Sequence, residues 1–259
     1  MLTATLERTE LVGKGFCSDI YGWGRGCVLK LFHDWVTRER AEHEFEVTQA
    51  IHAAGLPVHA AYELLEVEGR WGIVFEWVDG VSLLDYIQAR PWRVLDAMQQ
   101  LAELHAEIHR CTAPDWLPSL RERVAAGIDA SDSSAAEKQA AHDRLASLPD
   151  GNALCHGDFH PGNVLLTSRG PVVIDWDSAS RGAPIGDVAC TVQLMRIAYL
   201  PPWTPGYIRW SFECVRPVIH RSYVNRYLRL HAATRRQMEA WQTPLTVARR
   251  SWRPLSAPA

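Results

Sequence analysis

At 259 residues the chain has room for one large domain or two small lobes with a sizeable core. With 47% hydrophobic and 22% charged residues and a formal net charge of −3, it reads as globular, with no overall pull towards nucleic acid or a membrane surface. No apolar run approaches the ~18 residues of a membrane span. The first residues, Met1 to Arg8, lack the basic and apolar regions of a signal peptide. Six cysteines without a C-x-x-C pair read as free thiols, which places the chain in the reducing cytoplasm. The charge is unevenly spread: residues 1–187 hold 16 Lys+Arg against 28 Asp+Glu, and residues 188–259 hold 11 against 2.

In chain order, residues 10–32 predict three strands around two turns. The first turn carries Gly13, Gly15 and Ser18, a composition that can drape backbone N–H groups over phosphates. An ordinary glycine-containing hairpin fits it equally well. Lys30 sits among Val28, Leu29, Leu31 and Phe32, where a charge is costly to bury without a partner. It is one of only three lysines beside 24 arginines, and a compact ammonium suits gripping phosphates. Residues 37–54 predict a helix capped by Thr37, with Phe45, Val47, Thr48 and Ile51 as its apolar stripe and Gly55-Leu56-Pro57 as its stop. Glu39, Glu42, Glu44 and Glu46 all offer it a carboxylate. Residues 61–67 and 71–77 predict a hairpin around Glu68-Gly69-Arg70. A long amphipathic helix follows over 91–111, its core face including His105. His109 lies one turn on, and two histidines of a packed helix explain this pair better than a metal site. Residues 129–138 read as a polar loop leading into a helix to about 148. Further helices are expected from Asp187 to about Tyr199, over 207–230 and over 232–242. Between the first two lies a rigid aromatic loop at 199–205, and after the last a poorly ordered Arg/Pro-rich tail from Pro244.

The most informative stretch is 154–166, Leu154-Cys-His-Gly-Asp-Phe-His-Pro-Gly-Asn-Val-Leu-Leu. Asp158 precedes Asn163 by five positions, and a second apolar run, Val172-Val173-Ile174, ends in Asp175. An Asp, an Asn and a strand-terminal Asp in that order are what phosphoryl transfer requires: a proton acceptor and two oxygen ligands for magnesium. Gly157, Pro161 and Gly162 alone would equally suit a surface turn.

His156-Gly157-Asp158 with Asn163, together with Ile174-Asp175-Trp176, resembles the aminoglycoside phosphotransferase family of small-molecule kinases, to which choline and homoserine kinases are related. The resemblance runs in order and spacing from residue 10 to about 195. It implies an α+β, bilobal, protein-kinase-like fold, with a β-rich N-lobe over 1–78 and a mainly helical C-lobe over 79–259. It also implies an ATP- and magnesium-dependent phosphotransferase acting on a small hydroxylated acceptor. Asp158 would be the catalytic base, Asn163 and Asp175 the metal ligands, and Lys30 the phosphate clamp. The resemblance selects Glu44 as the partner of Lys30. It assigns the β-phosphate to Ser18 and the turn amides, and the adenine edge to the backbone of Glu76 and Val78 with Phe75 behind. His156 would fix the loop, and Asp187 would brace it by accepting backbone hydrogen bonds. The helix N-cap role of Asp187 is compatible with this. His160 and Asp177 lie nearby and are assigned no chemistry.

Substrate size is argued separately. Only eleven residues, 176–186, separate Asp175 from Asp187, which leaves no room for a peptide-docking segment. Small molecules are therefore the expected partners, with no nucleic acid and no membrane, and the sequence sets no oligomeric state. Aminoglycoside phosphorylation is one alternative and a catalytically silent nucleotide-binding module another. The filled polar positions argue against the second. The arginine-rich last 72 residues, with only Glu213 and Glu239 as acids, favour a neutral, zwitterionic or anionic acceptor over a polycation.

Overall fold

The computed structural model describes residues 10–197 and 206–251, the side chains of 197 and 206–215 excepted. Its N-terminal elements are β1 (Leu11–Lys14), β2 (Ser18–Gly22), β3 (Cys27–Phe32), α1 (Arg38–Ala53), β4 (Ala61–Val67), β5 (Arg70–Glu76), β6 (Gly80–Ser82) and α2 (Leu83–Ala89). Then come α3 (Val94–Ile108), α4 (Leu120–Ala130), α5 (Ala135–Ala146), β7 (Ala153–Cys155), β8 (Val164–Thr167), β9 (Gly170–Val173) and β10 (Ser180–Gly182). Four helices close the chain: α6 (Pro184–Ile197), α7 (Gly206–Leu230), α8 (Arg235–Ala240) and α9 (Gln242–Ala248). The chain forms two compact units, and the α+β class expected from the sequence holds.

The first unit comprises the described residues up to Tyr86 together with Gly162–Ser178. Its antiparallel sheet has the order β1-β2-β3-β5-β4. Side-chain alternation sorts β3 into two faces. Leu29 and Leu31 pack with Val67 and Val74, while Phe32 packs with Ile73, Phe75, Ala61 and, on α1, Ala41. Lys30 shares the parity of Phe32 and so lies on the α1 side. The hairpin between β4 and β5 turns on Glu68 and Gly69, both at positive φ, as a two-residue turn matched to strand twist requires. A second sheet, β6-β8-β9, belongs to the same unit. The sequence reading put 162–178 with the later lobe. Here Val173 N–H donates to Pro57 O at 2.7 Å, Val58 bridges Val173, and β8 pairs with β6, which ties the stretch to the first unit.

The second unit, Ile87–Pro161 with the described residues from Ala179 onward, is helical around the small ladder β7-β10. The expected 91–111 helix begins as a 3-10 turn, Pro91–Arg93, and is α-helical only from Val94 to Ile108. Two elements depart further from the sequence reading. α4 was not expected, although Ser119 and Glu122 form a reciprocal cap at its start. Its buried contact positions include Gly127, which breaks the apolar pattern. The expected disordered tail instead contains α9. Pro244 occupies the first turn, where a missing N–H costs little, and Leu245, Val247 and Ala248 are buried. Thr37, read as a side-chain cap, makes no hydrogen bond to the backbone of α1; its side chain bonds with Glu39 instead. The 199–205 loop, read as rigid, lies outside the described residues.

Candidate active site

In the first unit, Lys30 Nζ donates to Glu44 Oε1 and Oε2 at 2.7 and 2.8 Å and to Asp175 Oδ1 at 2.7 Å. Glu44 is 1% exposed. It reaches Lys30 because Ala41, Glu44, Thr48 and Ile51 form the buried stripe of α1 and face β3. Burial alone would push the Lys30 ammonium towards neutrality, but Asp175 and Glu44 overcome this and hold its pKa above the usual lysine range. Burial pushes Glu44 up, to about 7, against the pull of Lys30.

Asp175 follows β9 with φ +66°, a left-handed conformation that only short polar residues and glycine adopt readily. Ile174 N–H donates to Asn163 O at 3.0 Å, so the backbone holds Asn163 beside the residue preceding Asp175. The register Val164↔Val173 places both at the same end of the β8-β9 ladder. An amide and a carboxylate oxygen are hard donors, and this pair fits a magnesium ion. The structure adds a contact sequence reasoning missed, an ion pair between Arg40 on α1 and Asp177. Nothing local to Arg40 distinguishes it from Arg38, the other arginine of that helix.

Gly15 N–H donates to Ser18 O at 2.8 Å, closing the glycine turn, and Gly13 lies opposite Ile20 in the β1-β2 pair. Ser18 is buried at the start of β2. Phe75 is a core residue on β5, and His59 stacks on its ring at 4.2 Å with 7° between planes. Glu76 ends β5; its carboxylate meets Arg169 Nη2 at 3.2 Å, and Trp77 N–H donates to Gly26 O. Val78 follows in the irregular stretch before β6.

In the second unit, Asp187 on α6 is fully buried and accepts four hydrogen bonds. His156 N–H and Gly157 N–H donate to it at 2.6 and 2.9 Å, and the Nε2 atoms of His105 and His109 meet Oδ2 at 3.0 and 3.2 Å. The Nδ1 atoms of the same histidines meet the hydroxyls of Tyr223 and Tyr227, each at 2.6 Å. With Nε2–H donating to the carboxylate, each tyrosine O–H donates to Nδ1. Burial would raise the Asp187 pKa, yet the hydrogen bonds from His105 and His109 hold it well below the usual carboxylate range. Burial, with His109 adding to it, lowers His105 to about 3. His105, His109 and Asp187 have the mutual spacing of a metal cage. Every ring nitrogen already has a partner, so the cluster is a hydrogen-bond knot.

That knot braces the segment carrying Asp158. Gly157 sits at φ +80°, a turn a side chain would strain, and Asp158 N–H donates to His156 Nδ1 at 3.3 Å. His156 thus acts by hydrogen bonding from a fully buried position. His160 Nε2 lies 3.7 Å from Asp158 Oδ2. Sequence reasoning found Asp187 and His156 but not the tyrosines. The available signal was the matched spacing of 105/109 and 223/227, each pair four residues apart on its helix.

The model of a family described as phosphotransferase enzyme family matches residues 20–244. Among solved structures, the chain is similar to an aminoglycoside-3'-phosphotransferase of type VIII, with a TM-score of 0.68 and 21% identity over 93% of both chains. It is also similar to amicoumacin kinase hAmiN in complex with AMP-PNP, Ca2+ and Ami, at TM-score 0.63 and 14% identity over 96% of this chain and 80% of that one. A third is aminoglycoside phosphotransferase APH(3'')-Id from Streptomyces rimosus, at TM-score 0.57 and 16% identity over 93% and 92%. These likenesses show a shared fold, the kinase-like one expected from the sequence. No curated protein matches the sequence.

Proposed function

Because the chain belongs to the phosphotransferase enzyme family, we propose that it transfers the γ-phosphate of ATP, with magnesium, to a hydroxyl of a small molecule in the cytoplasm. The observation that carries this reading is the buried Lys30 ammonium bridging Glu44 and Asp175. A lysine held charged and anchored by Glu44 is oriented to meet phosphate oxygens, for which it would exchange its bond to Asp175, because all three of its donors are in use. Solved relatives of the same fold support the reading by what they bind: hAmiN was solved with AMP-PNP and Ca2+.

Each residue then has a role. Lys30, oriented by Glu44, neutralises α- and β-phosphate charge. The amides of the Gly13–Ser18 turn and the Ser18 hydroxyl steady the β-phosphate. The backbone of Glu76 and Val78 recognises the adenine edge, with Phe75 behind. Asn163 and Asp175 hold magnesium, which when bound offsets the charge gathering on the phosphoryl oxygens. Asp158 accepts the acceptor's hydroxyl proton and orients its oxygen. His156 and Asp187 hold the loop that carries it. Positioning and charge neutralisation supply most of the acceleration in such chemistry.

For the acceptor, the described arginines of the last 72 residues divide. Arg226 and Arg250 pair with Glu103 and Glu137, whereas Arg196 and Arg235 contact only neutral groups, Gln242 and Asn225. This segment offers little carboxylate to a polycation, which favours a neutral, zwitterionic or anionic acceptor, whereas the acids between Glu103 and Asp150 would serve a cationic one. Aminoglycosides remain the second reading, because the relative of TM-score 0.68 is named for them. A phosphate-transfer assay against kanamycin-like polyamines and neutral or acidic hydroxylated metabolites, at matched concentration, separates the two. Turnover of the polyamines alone would overturn the acceptor class, and nucleotide binding without turnover of any alcohol would point to a silent module.

A further inference from the structure

Lys30 grips the segment after β9 at Asp175, and a second cation grips it two residues further on. Arg40 stands one helical turn before Glu44 on α1, and positions four apart share a helix face. Its Nη2 donates to the carboxylate of Asp177, whose side chain is only 14% exposed, and to Cys17 Sγ at 3.5 Å. Its guanidinium lies 5.9 Å from the ring of Trp35, which in turn meets the Phe16 ring at 5.8 Å. Phe16 and Cys17 belong to the glycine turn, where Cys17 O accepts from His33 N–H at 2.9 Å. A single side chain of the first unit therefore joins α1, the glycine turn and the segment that carries Asp175. Burial works against the guanidinium charge, but Asp177 outweighs it and raises the Arg40 pKa.

We propose that Arg40 is a positioning residue for the metal ligand Asp175, acting through Asp177. This rests on the reading of the site as a magnesium-dependent phosphotransferase. Asp175 stands at φ +66°, a conformation that costs an aspartate energy and persists only where the surroundings hold it. Lys30 supplies one hold, the 2.7 Å bond to Oδ1. Phosphates that draw on Lys30 take that bond away, at the moment when the Asp175 carboxylate is needed for the metal. The Arg40–Asp177 pair lies outside that exchange and stays in place. The charges agree with this division. Glu44, Asp175 and Asp177 set three carboxylates around Lys30, and the charge of Asp177 reaches both Lys30 and Glu44. Arg40 is the second cation, and it ties down the one acid of the three that Lys30 does not bond.

The test needs no acceptor and no turnover. Calorimetry on the full chain would measure AMP-PNP affinity in magnesium and again in EDTA. Arg40→Gln is expected to weaken binding about tenfold in magnesium, a loss of ~1.4 kcal/mol, and to leave it unchanged in EDTA. Asp177→Asn, which keeps the shape of the side chain and serves should Arg40→Gln not fold, should give the same pattern. The double variant should bind no more weakly than either single one, because each loses the same interaction. Weakening of equal size in EDTA would overturn the proposal, since Arg40 would then serve the fold or the nucleotide instead of the metal ligand. Unchanged affinity in magnesium, or additive losses in the double variant, would overturn it too. Wild-type affinity that magnesium does not raise would remove the metal assignment of Asp175 itself, and the proposal with it.

Discussion

Lys30 and Glu44 illustrate at the scale of single residues how function and stability divide. Removing the ammonium alone leaves a carboxylate that is 1% exposed without its principal counter-charge. Breaking a buried pair in this way costs roughly 3–5 kcal/mol. Lys30→Met should therefore lower the urea midpoint strongly, whereas Lys30→Met combined with Glu44→Leu should recover most of that loss. Neither variant should recover turnover, because no cation remains to meet the phosphates. Recovery of activity in the double variant would remove Lys30 from the chemistry. Asp158 behaves differently, being partly exposed and local to its own turn. Asp158→Asn keeps the shape and removes the proposed proton acceptor. Turnover should fall by about two to four orders of magnitude with nucleotide affinity nearly unchanged. Single-turnover kinetics beside a nucleotide titration would separate those two quantities.

Among elements, α3 and α7 are cross-linked through His105–Tyr223 and His109–Tyr227, and both histidines converge on α6 at Asp187. Tyr227→Phe deletes one hydroxyl and leaves a buried imidazole acceptor unmet, at about 1–3 kcal/mol. Amide exchange of His156 and Gly157 should quicken along with the loss of stability, since both N–H groups donate to the same carboxylate. Exchange unchanged at those two amides would mean that the tyrosines do not support the loop. The same elements show what a sequence displays and what it hides. Asp158, Asn163 and Asp175 stood out because chemistry fixes their types and spacing. Glu44 came from the resemblance alone: the stripe read from the sequence, Phe45, Val47, Thr48 and Ile51, does not separate it from Glu39, Glu42 and Glu46, and only the burial of Ala41 and Glu44 beside Thr48 and Ile51 does. The hairpin followed from Glu68 and Gly69, but Arg70, read as part of the turn, already belongs to the second strand, which ends at Glu76 rather than Trp77. Arg40–Asp177 was hidden, because a contact 137 residues apart leaves no periodic trace. α9 was hidden for another reason. Arginines and prolines around it suggest an exposed tail, and only tertiary burial of Leu245 and Val247 overrides that composition. Close backbone packing escaped as well: a Cβ at Gly182 would lie 2.6 Å from Leu120 Cβ, a constraint visible only once α4 and β10 are placed.

For the whole molecule, buried titratable groups set the response to acid. His105 and His59 are lowered to about 3, chiefly by burial, so between pH 6.5 and 3 the unfolded chain binds protons there that the folded chain does not. Stability therefore falls as pH falls, by about 1.4 kcal/mol per pH unit per group. Glu44, raised to about 7 by burial, acts oppositely between 4.5 and 7, where the folded chain holds the extra proton. One histidine is thus offset down to pH 4.5, and below that both act uncompensated, joined by Asp187 near its unfolded value of 3.8. Urea midpoints at several pH values should show a shallow decline from pH 6.5 and a steeper one below 4.5, and a profile flat to pH 4 would contradict these burials. The order in which the units draw on the chain has a consequence for synthesis. The first unit takes residues up to 86 and then 162–178, with the whole of 87–161 inserted between. On the ribosome its five-stranded sheet emerges first, but the partner of β6 arrives about 85 residues later and that of Val58 about 115 residues later. At ~5–20 residues per second those are waits of roughly 4–17 s and 6–23 s. For those intervals the nascent chain exposes the β6 edge and the backbone at Pro57, the kind of unpaired surface that chaperones bind and that aggregation exploits.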